Sequence, residues 1–209
     1  MLAKGSAPWI ATVLIFTIIS GAGTYLTKNP YMELTTYIGA ISFVFLLRFF
    51  RDPERNVKMC KNCMIAPADG KVIDIRGRTV CIFMNFQNVH VNRTPLAGII
   101  RNIEHKKGGY MPAFCKDSDR NERNKITIDT EHGEVNVTQI AGTITRRIIT
   151  YVKEGDITQQ GQRFGMIRFG SRVDITIPDL FDILCKKGDK VYAGETVIAM
   201  KNTRNGRNR

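Results

Sequence analysis

Two apolar stretches open the chain and constrain it more than any other feature. The first runs from about Ala7 to Leu26 and the second from about Tyr31 to Phe50. Each approaches the roughly 20 residues with which a helix crosses a bilayer. Thr27, Lys28, Asn29 and Pro30 separate them, and proline, which lacks an N–H, is a natural break between helices. The pattern predicts a transmembrane helical hairpin. A cleaved signal peptide is the competing reading of the first stretch. Its length and the lack of a small-x-small cleavage site argue against that, and the second stretch would anchor the chain in either case. Lys4 precedes the hairpin, Lys28 lies in its turn, and Arg48, Arg51 and Arg55 follow it. More positive residues flank the two outer ends than the turn. Both ends, and the domain beyond them, are therefore expected on the cytoplasmic face of the cell membrane.

The charge balance fits such a setting. Among 209 residues, 31 Lys and Arg oppose 19 Asp and Glu, a net charge of +12. That balance suits an anionic partner, either nucleic acid or a lipid surface. No Lys/Arg-rich run with interleaved aromatics is present apart from the tail KNTRNGRNR, 201–209. This tail reads as a disordered, solvated segment. A membrane phospholipid is thus the expected partner, and nucleic acid is not. Arg48, Arg51, Arg55 and Lys58 are explained as a positive flank of the second span. The five cysteines agree with a reducing compartment. Cys60-Lys61-Asn62-Cys63 is a lone C-x-x-C without a second pair for zinc, so reduced thiols and no metal site are expected.

Beyond Arg55 the apolar runs become short and β-like: 71–75, 79–85, 125–129, 134–140, 143–152, 166–169, 173–177 and 191–200. Gly, Asn and Asp punctuate them, and Glu131-His132-Gly133 has the composition of a hairpin turn. One amphipathic helix is expected, over Asp179–Lys187. The soluble part should be mainly β, as two packed sheets or a barrel-like sandwich. The expected organisation is a membrane anchor over 1–55, a β domain over 56–200 and the basic tail.

Three short elements carry candidate chemistry. Gly170-Ser171 lies between two β runs in RFGSRVDITIP, 168–178. A serine hydroxyl can attack the carbonyl before it only if that peptide bends toward it, and glycine tolerates such geometry. An ordinary turn would look the same. His90, one of three histidines, sits in FMNFQNVHVNRTPLAG, 83–98. Histidine is the usual general base near neutral pH, although a lone histidine is more often structural. Asp69, in APADGKV, 66–72, reads either as a turn aspartate or as a carboxylate orienting His90.

Taken together, these elements resemble the phosphatidylserine decarboxylase family in its short form, which includes enzymes acting on archaeal ether lipids. FFRDPER, APADGKV, FMNFQNVHVNRTP, the NER at 121–123, the AGTI at 141–144 and FGMIRFGSRVD stand in the family's order over about Phe50 to Met200. The resemblance implies a carboxy-lyase made as a proenzyme. It would cut itself between Gly170 and Ser171 into a large chain, 1–170, and a small chain, 171–209. Ser171 would become a pyruvoyl group, the covalent pyruvate cofactor, which forms a Schiff base with the substrate amine and takes up electrons as CO2 leaves. The family's base and orienting acid map onto His90 and Asp69. The product would be the ethanolamine lipid of phospholipid biosynthesis. The long form has LGST at the cut where this chain has FGSR, and two histidines where this chain has His90 with Asn92 and Arg93 nearby. That leaves open whether His90 serves self-cleavage, decarboxylation or both. The lipid backbone and the oligomeric state, a homo-oligomer included, also stay open, and Arg93, Arg168 and Arg172 are chemically plausible partners for the substrate phosphate.

Two other classes compete. KKGDKVYAGETVIAMK, 186–201, is similar to a biotin- or lipoate-carrier pattern with Lys201 near the modified position. A carrier lysine belongs at a hairpin tip with a matching strand behind it, and here only a polar tail follows. A non-enzymatic membrane adaptor would need no Gly-Ser cut.

Overall fold

A computed structural model of the chain describes residues 1–109, 120–142, 147–168 and 170–202. The expectations that fell on 143–146, on Phe169 and on 203–209 of the tail lie outside the described residues. The chain forms two compact units, Met1–Glu54 and Arg55–Arg209.

The first unit is a pair of helices, α1 (Ala7–Thr27) and α2 (Pro30–Phe49). Both are long and apolar enough to cross a membrane, and few of their residues are buried within the protein. Asn29 caps α2 through its side chain, which accepts from Tyr31 N–H at 2.9 Å, and Pro30 fills the first helical position, where no N–H is needed. Small and hydroxyl residues line the contact between the helices. Thr24 and Thr36 hydroxyls lie 3.2 Å apart, and a Cβ on Gly39 would fall 2.5 Å from Thr17 Oγ1. Such residues let backbones approach closely where apolar burial gives no driving force. Ala3 N–H donates to the Phe50 carbonyl and Asp52 N–H to the Met1 carbonyl, both at 2.8 Å. The two outer ends of the hairpin therefore lie together.

The second unit is β throughout. Its strands among the described residues are β1 (Cys63–Ile65), β2 (Gly70–Arg76), β3 (Thr79–Met84), β4 (Val91–Arg93), β5 (Gly98–Lys106), β6 (Arg123–Thr130) and β7 (Gly133–Ala141). They continue as β8 (Ile148–Thr150), β9 (Ile157–Thr158), β10 (Arg163–Ile167), β11 (Ser171–Thr176), β12 (Phe181–Ile183), β13 (Lys190–Val191) and β14 (Val197–Lys201). Eight form one curled antiparallel sheet in the order β13-β2-β3-β11-β7-β6-β5-β9. Two three-stranded sheets, β1-β14-β12 and β4-β10-β8, accompany it. Period-2 alternation places Val80, Ile82, Ile126, Ile128, Val135, Val137, Val173 and Ile175 in one core, all inaccessible to solvent. This is the mainly β, barrel-like domain that the alternation predicts.

Three local expectations are corrected. Asp179–Lys187 is not a helix: Phe181 N–H turns back to the Pro178 carbonyl, and 181–183 join β14 as a strand. Phe181 is buried while Leu180 and Leu184 are exposed, so the apolar residues do not share one helical face. The run 191–200 is broken by a turn at 192–196, in which Thr196 N–H bonds the Tyr192 carbonyl. Cys60 and Cys63, expected as reduced thiols, form a disulfide across a Cα–Cα distance of 5.5 Å.

Candidate active site

Ser171 opens β11, the fourth strand of the large sheet. It pairs with Met84 of β3 on one side and Ala141 of β7 on the other. Alternation turns Ser171, Val173 and Ile175 to the core and Arg172, Asp174 and Thr176 to the opposite face. The Ser171 side chain is wholly buried. Gly170, immediately before it, has φ of +57°, a left-handed conformation that disfavours a Cβ, and no atom crowds the place where one would stand. The Gly170-Ser171 peptide thus follows a left-handed backbone turn and directly precedes a buried hydroxyl.

A buried polar chain leads away from that hydroxyl. Ser171 Oγ donates to Met84 Sδ at 3.5 Å, and Asn92 Nδ2 reaches the same sulfur at 3.8 Å. Asn92 Oδ1 accepts from Gln139 Nε2 at 2.8 Å, and Gln139 Oε1 accepts from Asn124 Nδ2 at 3.1 Å. Asn124 Nδ2 also reaches Thr150 Oγ1. A thioether is a weak acceptor, so it holds the serine hydroxyl in place without competing strongly for its proton. Met84, Gln139 and Asn124 were not singled out from the sequence. The signal was there: Gln139 follows Val135 and Val137, and Asn124 precedes Ile126 and Ile128, at the inward positions of alternating strands.

His90 stands just before β4 and is 1% exposed. Its Nδ1 lies 2.9 Å from the Asn88 carbonyl. A carbonyl only accepts, so in the neutral ring Nδ1 carries the proton and Nε2 is the basic nitrogen. The His90 carbonyl in turn accepts from Ile167 N–H, at the end of β10, four residues before Ser171. Asn92, two residues after His90, shares Met84 with Ser171. The histidine segment and the serine strand therefore meet at one end of the sheet.

Asp69 is held by two donors: Ala193 N–H donates to Oδ1 at 2.8 Å and Arg55 Nη2 to Oδ2 at 2.8 Å. Burial pushes its carboxyl above the ordinary value, outweighing the opposing pull of these donors. The Val89 backbone, just before His90, adds a smaller pull on the same carboxyl. Gly70 beside it is required by close packing, since a Cβ there would fall 2.2 Å from the Phe83 carbonyl. Arg55, read from the sequence as part of a positive flank, is an interior partner of Asp69 and also pairs with Glu195 at 3.1 Å.

The three arginines named as phosphate candidates are distributed differently. Arg172 is wholly buried and clasps Asp174 with two nitrogens at 2.8 and 2.9 Å. Arg93 donates to the Gly161 carbonyl at 3.0 Å. Arg168 is nearly buried, and desolvation together with the positive charge of Arg147 lowers its pKa. Lys201, the candidate carrier lysine, lies within β14 opposite Phe181 rather than at a hairpin tip.

A buried serine follows a left-handed glycine, and the segment that carries His90 meets the same end of the sheet through Asn92 and Met84. The sequence profile of the phosphatidylserine decarboxylase family matches residues 43–199. The chain belongs to this family, and it is a decarboxylase. It is 56% identical over 201 residues to a protein of Methanococcoides burtonii named as an archaetidylserine decarboxylase proenzyme, covering 96% of this chain and 97% of that one. A protein of Methanosarcina acetivorans with the same name is 56% identical over 209 residues, covering 98% and 99%. A phosphatidylserine decarboxylase proenzyme of Thermobifida fusca is 42% identical over 203 residues, covering 93% and 90%.

Proposed function

We propose that the chain is a self-processing, pyruvoyl-dependent decarboxylase that converts a phosphatidylserine-type lipid to the ethanolamine lipid and CO2. The observation that carries this reading is the wholly buried Ser171 hydroxyl directly after Gly170 at φ +57°.

The processing step follows from those two residues. Ser171 Oγ attacks the Gly170 carbonyl carbon, and the peptide C–N bond gives way to an ester with a free amine. A base removes the Ser171 α-proton, and the ester C–O bond breaks. Gly170 leaves as the carboxylate end of the large chain, and residue 171 becomes a dehydroalanine. Water then replaces its nitrogen, releasing ammonia and leaving a pyruvoyl group on the small chain, 171–209. His90 Nε2 is the base assigned here, with its other nitrogen fixed on the Asn88 carbonyl. Asp69, the orienting acid of this reading, is itself held by Ala193 N–H and Arg55.

The site fits such a group. Residue 171 is enclosed, and the amides of Asn92 and Gln139 supply polar partners beyond the Met84 sulfur. A pyruvoyl ketone supplies an electron sink for the bond to the departing CO2. His90 is the group we assign to return a proton to the substrate carbon, and burial would keep competing water away. The two apolar helices are read as crossing the membrane with their joined outer ends on the cytoplasmic side.

The test is Ser171→Ala. Without the hydroxyl neither the ester nor the ketone can form, so this variant should stay a single chain with no lipid decarboxylation. Ser171→Cys and Ser171→Thr keep a nucleophile and should cut slowly. Normal cutting of the alanine variant would show that another bond is broken.

A further inference from the structure

A pocket of about 450 Å³ lies at the Ser171 end of the large sheet, lined by His105, Lys107, Gly108, Glu122, Arg147 and Ile148. Two backbone links tie its walls to the candidate cleavage site. The Glu122 carbonyl accepts from Ala141 N–H at 2.9 Å, and Ala141 is the residue paired with Ser171. The Arg147 carbonyl accepts from Arg168 N–H at 3.3 Å, and Arg168 stands two residues before Gly170. Glu122 belongs to the segment two strands from Ser171, about 10 Å at ordinary strand spacing.

The charges of the pocket point to an anion. Among the described residues its one carboxylate, Glu122, is nearly buried and lies 3.3 Å from His105 Nε2, so a single negative charge faces the two fixed positive charges of Lys107 and Arg147. Lys107 and Arg147 remain, and among the described residues neither has a carboxylate partner. The nearby Arg168 guanidinium feels the positive charge of Arg147, so two arginines crowd this wall. Like charges held together at the rim of a cavity are stabilised by an anion between them.

We infer that Lys107 and Arg147 form the subsite for the phosphodiester of the lipid headgroup. This rests on the decarboxylase reading above. With the substrate amine held at residue 171, the phosphate lies four bonds further along the headgroup. An arginine or lysine side chain reaching in from about two strands away meets it there. Arginine offers a fork of N–H donors to the phosphate oxygens, and lysine a point charge. The substrate carboxylate, which must lose its charge as CO2, gains nothing from a cation that binds it more tightly in the ground state than in the transition state. The phosphate, unchanged through the reaction, is the part of the headgroup for these cations to hold.

The experiment uses the purified full-length protein with short-chain phosphatidylserine in detergent micelles, and inorganic phosphate as a competing probe. Arg147→Ala and Lys107→Ala should each raise KM by roughly ten- to a hundredfold, with kcat changed far less. Inorganic phosphate should compete with lipid in the wild type and lose that effect in the variants. Self-cleavage needs no substrate and is read on the same samples as a check of folding. Should Arg147→Ala fail to cut, the exposed Lys107→Ala carries the test alone. Unchanged KM in a cut variant overturns the subsite. If phosphate competition is also lost there, the pocket is a free-anion site and the headgroup assignment fails. A wild type that neither cuts nor releases CO2 refutes the decarboxylase reading itself, a result distinct from these.

Discussion

Arg55→Met removes one partner of a buried ion pair and leaves the other in place. The Arg55 and Asp69 side chains are 12% and 5% exposed and meet at 2.8 Å. Arg55 also reaches Glu195 at 3.1 Å, and its guanidinium lies 5.9 Å from the centroid of the Tyr192 ring. Stripping one partner from a buried pair costs about 3–5 kcal/mol. Asp69 keeps the N–H donor of Ala193, which places the loss near the lower end, about 3 kcal/mol. For a domain of this size each kcal/mol moves Tm by about 2–4 °C, so the expected fall is about 6–12 °C. The pH dependence has a definite sign. Burial already raises the Asp69 carboxyl above its ordinary value. A carboxyl raised on folding favours the folded state fully below its unfolded pKa, and that advantage is lost as pH rises through the folded value. Removing Arg55 raises it further. The deficit of the variant should therefore be largest at neutral pH and small near about pH 3, below the unfolded pKa of the carboxyl. Calorimetric melting of the full chain in detergent at both pH values is the assay. Arg55→Met/Asp69→Asn, which removes both charges, should recover most of the loss. A fall of less than about 2 °C at neutral pH, or equal deficits at both pH values, refutes the reasoning.

Other outcomes follow from the same geometry. His90→Ala should accumulate uncut chain at neutral pH with residual cutting slowed by about 10²- to 10⁴-fold, and Asp69→Asn should do so less completely. A His90→Ala protein that melts like the wild type and cuts at its rate removes His90 from processing. Cys81 should resist iodoacetamide in the native protein at about pH 8 and react on unfolding, because burial and the Asp174 carboxylate beside it push its thiol up to about 12. Rapid native labelling at Cys81 contradicts that. Protease added outside intact cells should leave the region beyond Arg55 uncut, and digestion there would reverse the orientation assigned to the hairpin.

Much of this was legible in the sequence because it depends on local pattern. The helical hairpin follows from two apolar runs and Pro30, and the β domain from period-2 alternation. The Gly170-Ser171 pair stood out only through its place among motifs that resemble the family's, since an ordinary turn between strands would look the same. What was not legible depends on pairing between distant segments. The partnership of Arg55 with Asp69 joins residues on either side of β1, and position alone made Arg55 look like a membrane flank. The expected helix at 179–187 failed because β14 offers its edge to 181–183, and no local propensity reports that. Gln139 and Asn124 were hidden for a related reason. Their inward positions were readable, but their purpose required β4 to be laid beside them, carrying Asn92.

The most direct measurement of the central claim is the intact mass of the purified protein, with sequencing of any small fragment. The account predicts two chains, 1–170 and 171–209, in place of the 23.6 kDa precursor. The small chain should begin at residue 171 with a ketone that borohydride reduces and that blocks Edman degradation. A single full-length chain that decarboxylates lipid, or a small chain opening on an ordinary amine, would contradict it.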